Sequence, residues 1–479
     1  MPSDIAVYGL GVMGRNIALN LANHGMTVSV YNRTASTTEA FVADLPADSG
    51  IMPTYSLGEL CDSLARPRVV FLMATAGRVV DLIIESLLPL LDAGDVLIDG
   101  GNSYFKDTQR RWQSLADKGI HYLGMGISGG EEGARRGPSI MPGGDAAAWP
   151  LVREHFERIA AKADDGQPCC RWIGEGGAGH YVKMIHNGIE YGDMQLIAEA
   201  WQLMRDGLGM PATAIADTFA AWNDGVLRSY LIGITADILR VTDADGSLRV
   251  DHILDSAGQK GTGRWTAVDA LETGVPLTLI AEAVYARMLS SLKEERVALA
   301  ARLGGRQPVA AADQAAMLQA IHDALYAAKI VSYTQGFLQM RTAAAAYDWQ
   351  LDYANIALVW RAGCIIRSRF LDDIAQAYER DATLPALPFD DFFADALRGA
   401  QAGWREAVAF GIRSGIPTPA LSAALSFYDG YRSADLPANL IQAQRDYFGA
   451  HTYQRTDRAA QQHWHTRWTD DRQEVAVDD

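Results

Sequence analysis

The stretch Ile5-Ala-Val-Tyr-Gly9-Leu-Gly11-Val-Met-Gly14 decides the fold. An apolar run enters a glycine-rich turn, a helical pattern follows, and Gly25 ends it before a second apolar segment, Thr27–Tyr31. A β-α-β unit has this order and size; its glycines let the backbone approach a pyrophosphate, and the helix N-terminus offers free N–H groups. The sequence predicts a dinucleotide-binding turn; the alternative is a tight turn without a ligand. The residues predicted to contact the cofactor there are Gly9, Leu10, Gly11, Val12, Met13 and Gly14.

The end of the second strand indicates which dinucleotide is bound. NAD-binding proteins usually place Asp or Glu there to hold the ribose hydroxyls, whereas this chain has Asn32, Arg33 and Thr34. A carboxylate would repel a 2′-phosphate, while Arg33 can pair with that phosphate and stack on adenine. The sequence therefore predicts NADP as the cofactor, contacted by these three residues. The alternative is a solvated surface arginine at position 33.

Strand and helix patterns continue to alternate after this unit. Apolar segments at 68–73, 95–99 and 120–123 predict strands, and 79–91 and 107–118 predict helices. This alternation is typical of a parallel sheet, which binds ligands at the carboxyl ends of its strands. Met73, Ala74 and Asn102 follow such ends and are predicted to face the cofactor.

Length and composition limit the remaining possibilities. A chain of 479 residues with 49% hydrophobic and 21% charged residues predicts a globular protein of two or three domains. Its formal net charge of −16 argues against a nucleic-acid partner. Only four cysteines are present and none forms a CxxC pair, which favours a reducing compartment. With no secretory signal and no apolar run long enough to cross a bilayer, we expect a cytosolic protein without a membrane partner.

From about Gly179 onward, helical periodicity dominates and strands are hard to find. The predicted architecture is an α/β, Rossmann-like dinucleotide-binding domain at 1–178 followed by a large all-α domain at 179–436. The polar segment 437–479 predicts a solvated C-terminal tail. Its His463-Trp-His465 stretch could indicate a metal, but a solvated tail is the favoured interpretation.

The helical half contains a short pattern of residues that occurs twice. Met204-Arg205, Trp222-x-x-Gly225 and Arg228-Ser229 recur as Met340-Arg341, Trp360-x-x-Gly363 and Arg367-Ser368. This spacing predicts a duplicated helical unit whose second copy lacks the polar helix face described below. Chance recurrence in an alanine-rich region is the alternative.

Two further segments suggest a substrate site. Gly124–Gly133 follows a strand and is predicted to be a loop in which Ser128 offers a hydroxyl and Gly129 and Gly130 expose backbone N–H groups, a combination suited to a carboxylate or hydroxyl. In the helical segment 183–194, positions 183, 186, 187, 190 and 194 share one face, which carries Lys, His, Asn and Glu among apolar neighbours. Such a face is either the wall of a site or a polar surface stripe.

The residue types on this face fit acid–base chemistry. Oxidation of an alcohol needs a base, and Lys183 can serve if burial lowers its pKa from about 10.4 toward neutrality. The protonated lysine can then polarise the ketone while CO2 leaves. Glu190, roughly 10 Å along the helix, is placed to protonate a different carbon. No His, Asp or Glu cluster near them has metal-ligand spacing, so we predict no metal.

The chain resembles the NADP-dependent, decarboxylating 6-phosphogluconate dehydrogenases over essentially its whole length. The resemblance rests on the glycine turn, on 32–34, on Ser128–Arg135 and on Lys183–Asp193. It continues in the segment 253–265, which reads Ile-Leu-Asp-Ser-Ala-Gly-Gln-Lys-Gly-Thr-Gly-Arg-Trp, and in 445–453. It implies oxidation of 6-phosphogluconate at C3 and loss of CO2 to give ribulose 5-phosphate, a step of the pentose phosphate pathway.

The resemblance also implies roles for individual residues. Lys183 would be the base and later the acid, and Glu190 would protonate the enediol. The tail would reach into the partner subunit of a homodimer and complete its site. The residues implied to hold the sugar-acid end are Asn102, Ser128, Gly129, Gly130, His186 and Asn187. Those implied to hold the phosphate are Tyr191, Lys260, Thr262, Arg287, Arg445 and His451.

Two points qualify the resemblance. The family commonly has a lysine in the turn after Met73, where this chain has Ala74-Thr75-Ala76-Gly77, so binding of the cofactor phosphate could be weaker. The nearest rival is a 3-hydroxyacid dehydrogenase of the β-hydroxyisobutyrate type, which shares the dinucleotide turn, the Ser-Gly-Gly segment and a helical lysine but is shorter. A non-enzymatic dimer built on an inactive dehydrogenase is disfavoured because the proposed catalytic set is intact.

Overall fold

The predicted N-terminal β-α-β unit is confirmed in the computed structural model, which describes residues 2–304 and 313–477. Strands β1 (Ile5–Tyr8) and β2 (Val28–Tyr31) pair in parallel and are joined by helix α1 (Val12–Asn23). Residues of β1 alternate between two apolar clusters, with Ile5 and Val7 in one and Ala6 in the other. The strand is therefore covered on both faces, as a doubly wound sheet requires.

The first part of the chain forms one eight-stranded sheet in the order β3-β2-β1-β4-β5-β6-β7-β8. Its remaining strands are β3 (Ile51–Pro53), β4 (Val69–Leu72), β5 (Val96–Asp99), β6 (His121–Ser128), β7 (Ser139–Gly144) and β8 (Gly174–Glu175). Its remaining helices are α2 (Ala35–Val42), α3 (Leu57–Asp62), α4 (Arg78–Leu87), α5 (Phe105–Ala116), α6 (Gly130–Arg136) and α7 (Trp149–Ile159).

The sheet departs from the predicted parallel arrangement at one place. Strands β6 and β7 are antiparallel, with Ser128 opposite Ser139. The connection 129–138 is too short for a parallel crossover, which needs about a dozen residues or more. The prediction of a loop over Gly124–Gly133 was also wrong, because Gly124–Ser128 continues β6 and Gly130 begins α6.

Helices make up the rest of the first compact unit, Met1–Leu425, within the described residues. Helix α14 packs along α8 and α17 at the centre of this region. Helix α14 begins at a capping aspartate, because the Asp313 side chain accepts a hydrogen bond from the Ala316 N–H at 3.0 Å. The longer helices are α8 (Ala178–Gln202), α14 (Gln314–Tyr347) and α17 (Asp391–Arg413). The others are α9 (Ala212–Trp222), α10 (Tyr230–Ile238), α11 (Thr262–Thr273), α12 (Thr278–Ser290), α13 (Lys293–Leu303), α15 (Tyr353–Val359) and α16 (Leu371–Arg380). Helix α18 (Pro419–Tyr431) begins in this unit and ends in the second.

Several contacts support the predicted duplication. In a two-fold arrangement, equivalent positions meet each other only at the axis. The equivalent serines Ser229 and Ser368 pair as an antiparallel bridge. Asp193 and Lys329, which lie 11 residues before Met204 and Met340 respectively, form a fully buried ion pair. Both pairs are what an internal two-fold axis between the copies would produce.

The segment predicted to be a solvated tail lies in a second compact unit, Ser426–Asp479, and contains regular structure, although most of its described residues are exposed. It contains helix α19 (Ala438–Gly449) and a three-stranded antiparallel sheet of β9 (Tyr453–Gln454), β10 (His463–Thr466) and β11 (Glu474–Val477). The fully buried Asp446 accepts hydrogen bonds from the Thr466 N–H at 3.0 Å and from the Trp468 ring at 2.8 Å. This carboxylate joins α19 to β10 and to the residues that follow it.

Across residues 2–304 and 313–477, none of the helices is long and apolar enough to cross a membrane.

Candidate active site

The glycine turn between β1 and α1 leaves no room for a side chain at Gly9 or Gly14. A Cβ on Gly9 would lie 2.3 Å from the Met73 carbonyl oxygen, and one on Gly14 would lie 1.8 Å from the Gly9 oxygen. A Cβ on Gly11, the residue that caps α1, would meet nothing within 4 Å. The N-terminus of α1 therefore opens onto free space, in which a pyrophosphate can reach its N–H groups.

The predicted cofactor residues lie together around this turn. The Leu10 N–H donates to the Asn32 side-chain oxygen at 3.1 Å, and the Asn32 amide donates to the Thr34 carbonyl at 3.3 Å. These bonds fix the end of β2 beside the turn. Arg33 is exposed and has no side-chain hydrogen bond or ion pair among the described residues, so its guanidinium is free to meet an anion.

The polar face of α8 is a buried wall rather than a surface stripe. Lys183 is 6% exposed and His186 is fully buried. The Lys183 ammonium lies 2.8 Å from the Asn187 side-chain oxygen and 3.3 Å from His186 Nδ1. Glu190 continues the face one turn further, with a carboxylate oxygen 4.0 Å from His186 Nδ1. The four predicted side chains therefore form one connected cluster.

Close packing of β6 against α8 buries this cluster. A Cβ on Gly126 would lie 2.3 Å from the Lys183 Cβ, so glycine is required where the strand crosses the helix. At the end of the same strand, the Ser128 hydroxyl lies 3.1 Å from His186 Nε2. The imidazole therefore joins Ser128, through Nε2, to the Lys183–Asn187 pair, through Nδ1, which also lies 3.1 Å from the Asn187 side-chain oxygen.

Burial changes the proton affinities of the cluster. It lowers the pKa of Lys183 from 10.5 to about 8, against the opposing influence of Glu190. It also lowers the pKa of His186 well below the usual range, with a further contribution from Lys183. Burial raises the pKa of Glu190, although the nearby cations oppose the shift. The arrangement combines a lysine that can lose its proton near neutrality with a carboxyl group that can hold one.

A second group of predicted residues lies at the other end of this face. The Arg287 guanidinium stacks over the Tyr191 ring at 3.4 Å and influences the titration of Glu190. Thr262 begins α11, and a Cβ on the next residue, Gly263, would lie 2.6 Å from the Tyr191 ring. Lys260 is exposed just before this helix, without a side-chain partner among the described residues.

Three predicted positions line the edge of the sheet. Asn102 is exposed in the loop after β5, and it has no side-chain hydrogen bond among the described residues. Gly129 and Gly130 have φ values of 125° and 61°, which favour glycine. A Cβ on Gly129 would also lie 2.5 Å from the Gly363 carbonyl oxygen.

Arg445 and His451 belong to the second compact unit. The Arg445 guanidinium donates to the Gln442 side chain at 2.9 Å, and the His451 ring packs against Phe448 with ring centroids 6.0 Å apart. Their implied role in the phosphate site stays a prediction.

Sequence reasoning missed two residues that support the cluster. Trp360 packs edge-on against His186 with ring centroids 5.8 Å apart, and its N–H points to the Met141 sulfur at 3.4 Å. The buried Cys364 donates to the Trp360 carbonyl at 3.0 Å, and burial raises the pKa of its thiol to about 12. The repeated Trp-x-x-Gly motif was the available signal, since it marks Trp360.

The second copy does have a counterpart of the polar face, contrary to the prediction. Gln319 and Lys183 each lie 21 residues before the repeated methionine, which makes His322 and Asp323 the equivalents of His186 and Asn187. Gln319 lies 2.8 Å from Asp323 and 3.3 Å from His322 Nδ1. The sequence did not reveal this correspondence because the second copy keeps the helical spacing but has Gln319 where the first has Lys183.

The aromatic contacts of the two faces are reciprocal. His322 packs edge-on against Trp222 at 5.4 Å, as His186 packs against the equivalent Trp360. Each copy therefore supplies the tryptophan that supports the other copy's histidine.

No group of three or more His, Cys, Asp or Glu residues within 2–304 and 313–477 is arranged to hold a metal ion. In the second unit, His465 is bonded instead to Asp446 and His463 to Thr452.

Comparisons with known proteins agree with the geometry. Residues 4–174 match the NAD-binding domain of 6-phosphogluconate dehydrogenase, and 179–468 match the C-terminal domain of 6-phosphogluconate dehydrogenase. The chain is 55% identical to the decarboxylating enzyme of Schizosaccharomyces pombe, covering 96% of this chain and 93% of that one. It is 53% identical to the human decarboxylating enzyme, covering 98% and 97%.

A solved structure is also closely similar. Plasmodium falciparum 6-phosphogluconate dehydrogenase, described in its apo form and in complexes with its cofactor NADP+ and its substrate 6-phosphogluconate, superposes with a TM-score of 0.93. It is 41% identical to this chain, and the match covers 97% of this chain and all of that one.

Proposed function

The chain belongs to the 6-phosphogluconate dehydrogenase family, and we propose that it converts 6-phosphogluconate to ribulose 5-phosphate and CO2 while reducing NADP. The observation that carries this proposal is the buried Lys183, whose pKa is lowered to about 8 beside His186 and Asn187. A base of this kind is what oxidation of a hydroxyl at neutral pH requires.

The residues around the glycine turn fit NADP. The free space beside Gly11 accommodates a pyrophosphate at the N-terminus of α1, and no carboxylate at the end of β2 opposes a 2′-phosphate. Arg33 offers an unpaired cation at that end. Bound NADP would supply the hydride acceptor. Thr75 and Ala76 provide no charge in place of the family lysine, so Arg33 carries more of the phosphate binding.

Lys183 acts in both halves of the proposed reaction. Its neutral amine takes the proton of the C3 hydroxyl as the hydride leaves that carbon. The resulting ammonium then donates to the ketone oxygen, which draws electrons away from the breaking carbon–carboxylate bond. Asn187 and His186 hold the amine in place through its two contacts, and Ser128 orients the imidazole from the other side.

Glu190 completes the reaction by protonating the enediol at carbon. Burial raises its pKa, which favours the protonated carboxyl that such a donor requires. Arg287, stacked on Tyr191 beside Glu190, is proposed to bind the substrate phosphate together with Lys260 and Thr262. A sugar phosphate carries nearly two negative charges, which matches cations at this end of the face.

One assay tests the proposal. The purified protein is mixed with 6-phosphogluconate and NADP, and NADPH formation and CO2 release are followed, with NAD as the alternative cofactor. We expect both products in equal amounts and a clear preference for NADP. Activity on 3-hydroxyisobutyrate without activity on 6-phosphogluconate would favour the rival enzyme class, and absence of turnover on either would refute the enzymatic assignment.

We also propose that the chain is a homodimer in which segment 437–479 completes the partner's site, with 1–178 binding NADP and 179–436 carrying the substrate wall. Support comes from α19, whose large apolar side chains are more than half exposed and need a partner. These side chains are Leu440, Ile441, Tyr447 and Phe448. Arg445 belongs to the same segment and would supply positive charge, and His451 would supply a further polar contact.

Complementation between inactive variants tests the tail exchange. Lys183→Ala and Arg445→Ala should each be inactive alone, and co-expression should restore about a quarter of wild-type activity, since about half of the dimers carry one intact site. The control pairs Lys183→Ala with Glu190→Ala, which damage the same protomer's wall and should restore nothing. Failure of the first pair to complement would show that the tail serves its own protomer.

A cytosolic location is part of the proposal, because all four cysteines are unpaired, as in a reducing compartment. Cell fractionation tests it.

A further inference from the structure

A buried arginine holds the loop that follows β4. Arg111, on α5, is 2% exposed. Its guanidinium donates to both carboxylate oxygens of Asp81, at 2.8 and 3.1 Å, and to the Gly77 carbonyl at 2.9 Å. Gly77 caps α4 and ends the segment 73–77, which the proposed function places beside the cofactor.

The same guanidinium holds the loop that follows β5. Its Nη1 lies 3.4 Å from the Ser103 hydroxyl and 3.5 Å from the Asp99 carboxylate. The fully buried Asp99 accepts bonds from the Gly101 N–H at 3.0 Å, from the Ser103 hydroxyl at 2.6 Å and from the Tyr122 hydroxyl at 3.1 Å. The segment 100–103, which carries Asn102, is therefore fixed to this carboxylate on both sides.

The two loops also touch each other. A Cβ on Gly101 would lie 2.9 Å from the Ala74 carbonyl oxygen. One guanidinium thus lies between two carboxylates, Asp81 and Asp99, with one loop on each side of it. Only the planar fork of arginine reaches all of these acceptors at once, because a lysine ammonium is a single point of charge on a flexible stem.

We propose that Arg111 is a positioning residue that sets the distance between the cofactor loop 73–77 and the substrate loop 100–103. The inference rests on the proposed function, in which hydride passes between groups held by these loops. Displacement of reacting atoms by about 1 Å can slow such a transfer by about a hundredfold. Loss of CO2 depends instead on the cluster around Lys183, which Arg111 does not contact.

The test compares Arg111→Lys with Arg110→Lys. Arg110 is the matched control, because it neighbours Arg111 on α5 and also pairs with Asp81, at 2.9 Å, but its side chain is 56% exposed. Hydrogen exchange followed by mass spectrometry is expected to rise in both segments, 73–77 and 100–103, in Arg111→Lys only, with the rest of the protein unchanged. In turnover, Arg111→Lys should lose about tenfold or more in kcat and show a larger isotope effect with substrate deuterated at C3.

A second variant keeps the test decisive if Arg111→Lys does not fold. Ser103→Ala removes the bonds from Ser103 to Asp99 and to Arg111 with a small change of volume, and should shift exchange and isotope effect in the same direction by less. If every folded variant matches Arg110→Lys in both measurements, the positioning role is overturned. The exchange experiment needs no turnover, so it is independent of the proposed function, whose own failure would appear as an inactive wild-type protein.

Discussion

Helices α8 and α14 carry equivalent trios of polar residues that differ in burial. The first trio is Lys183, His186 and Asn187, and the second is Gln319, His322 and Asp323. Both trios have the same spacing, and the first residue of each lies 2.8 Å from the third and 3.3 Å from the histidine. Lys183 is buried beneath β6, whereas Gln319 is exposed at the surface. Helix α17 covers only part of the second trio, with Gly403 close against Asp323. Spacing on a helix therefore makes a hydrogen-bonded trio, and burial beneath the sheet changes its acid–base properties.

Removing the first residue of each trio gives the largest expected contrast. Lys183→Ala should lower kcat by about 10⁴-fold or more, because the variant lacks the only proposed base, while NADPH binding measured by fluorescence is retained. Gln319→Ala should leave kcat within about twofold. Substantial turnover by Lys183→Ala would disprove the role assigned to the amine.

Substitutions at the fourth position of each face, Glu190 and Tyr326, should differ less in their effect on kcat. Glu190→Gln keeps the shape but cannot donate the same proton, so kcat should fall by about a hundredfold. Tyr326 lies at the equivalent position of α14, 14 residues before Met340 as Glu190 is before Met204, and Tyr326→Phe serves as the control. Equal kinetics for Glu190→Gln and wild type would remove the carboxyl group from the mechanism.

The pH profile should report the lowered pKa directly. Because the neutral amine is the active form, kcat/KM should rise about tenfold per pH unit below about 8 and level off above it. Introducing a lysine in the other trio by Gln319→Lys should produce a side chain that titrates near the ordinary value of about 10.4, measured by NMR of the labelled ammonium. A plateau that begins well below pH 7 would contradict Lys183 as the titrating base.

Substitution of His322, the histidine of the second trio, should have the smallest effect on activity. His322→Ala removes contacts at a half-buried position, so we expect a loss of about 1 kcal/mol in the free energy of unfolding, measured with urea, and unchanged kcat. His186→Ala should change the stability by a similar or larger amount but lower kcat/KM strongly. A fall in kcat for His322→Ala would show that the two faces are coupled.

The sequence predicted the sheet-forming half because its signals are local. The run from Ile5 to Gly14 contains the strand, the turn and the helix start within ten residues, and the structure confirms each one. Family motifs pointed to Lys183, His186, Asn187 and Glu190, which the structure brings together. Periodicity alone left the helix face undecided, because a buried wall and a surface stripe repeat at the same positions.

Predictions failed where distant parts of the chain decide the outcome. Gly124–Ser128 was predicted to lie in a loop, yet these residues continue β6, and a glycine is needed at position 126 where that strand crosses α8. The polar composition of 437–479 predicted its exposure but not its short strands, which hydrogen bonds to the buried Asp446 help to hold. The second polar face was missed because Gln319 and Asp323 stand in place of Lys183 and Asn187, so its charges differ from those of the first face.

The sequence by itself determined the β-α-β unit, its glycine turn, and the order of lysine, histidine, asparagine and glutamate along one helix. These follow from short-range periodicity and backbone sterics, which act within a few residues. Tertiary structure alone decided that the lysine is buried, that Trp360 supports His186 and that Arg111 joins two loops. Each depends on segments far apart in the chain, and desolvation, which lowers the pKa of Lys183, arises only when those segments exclude water together.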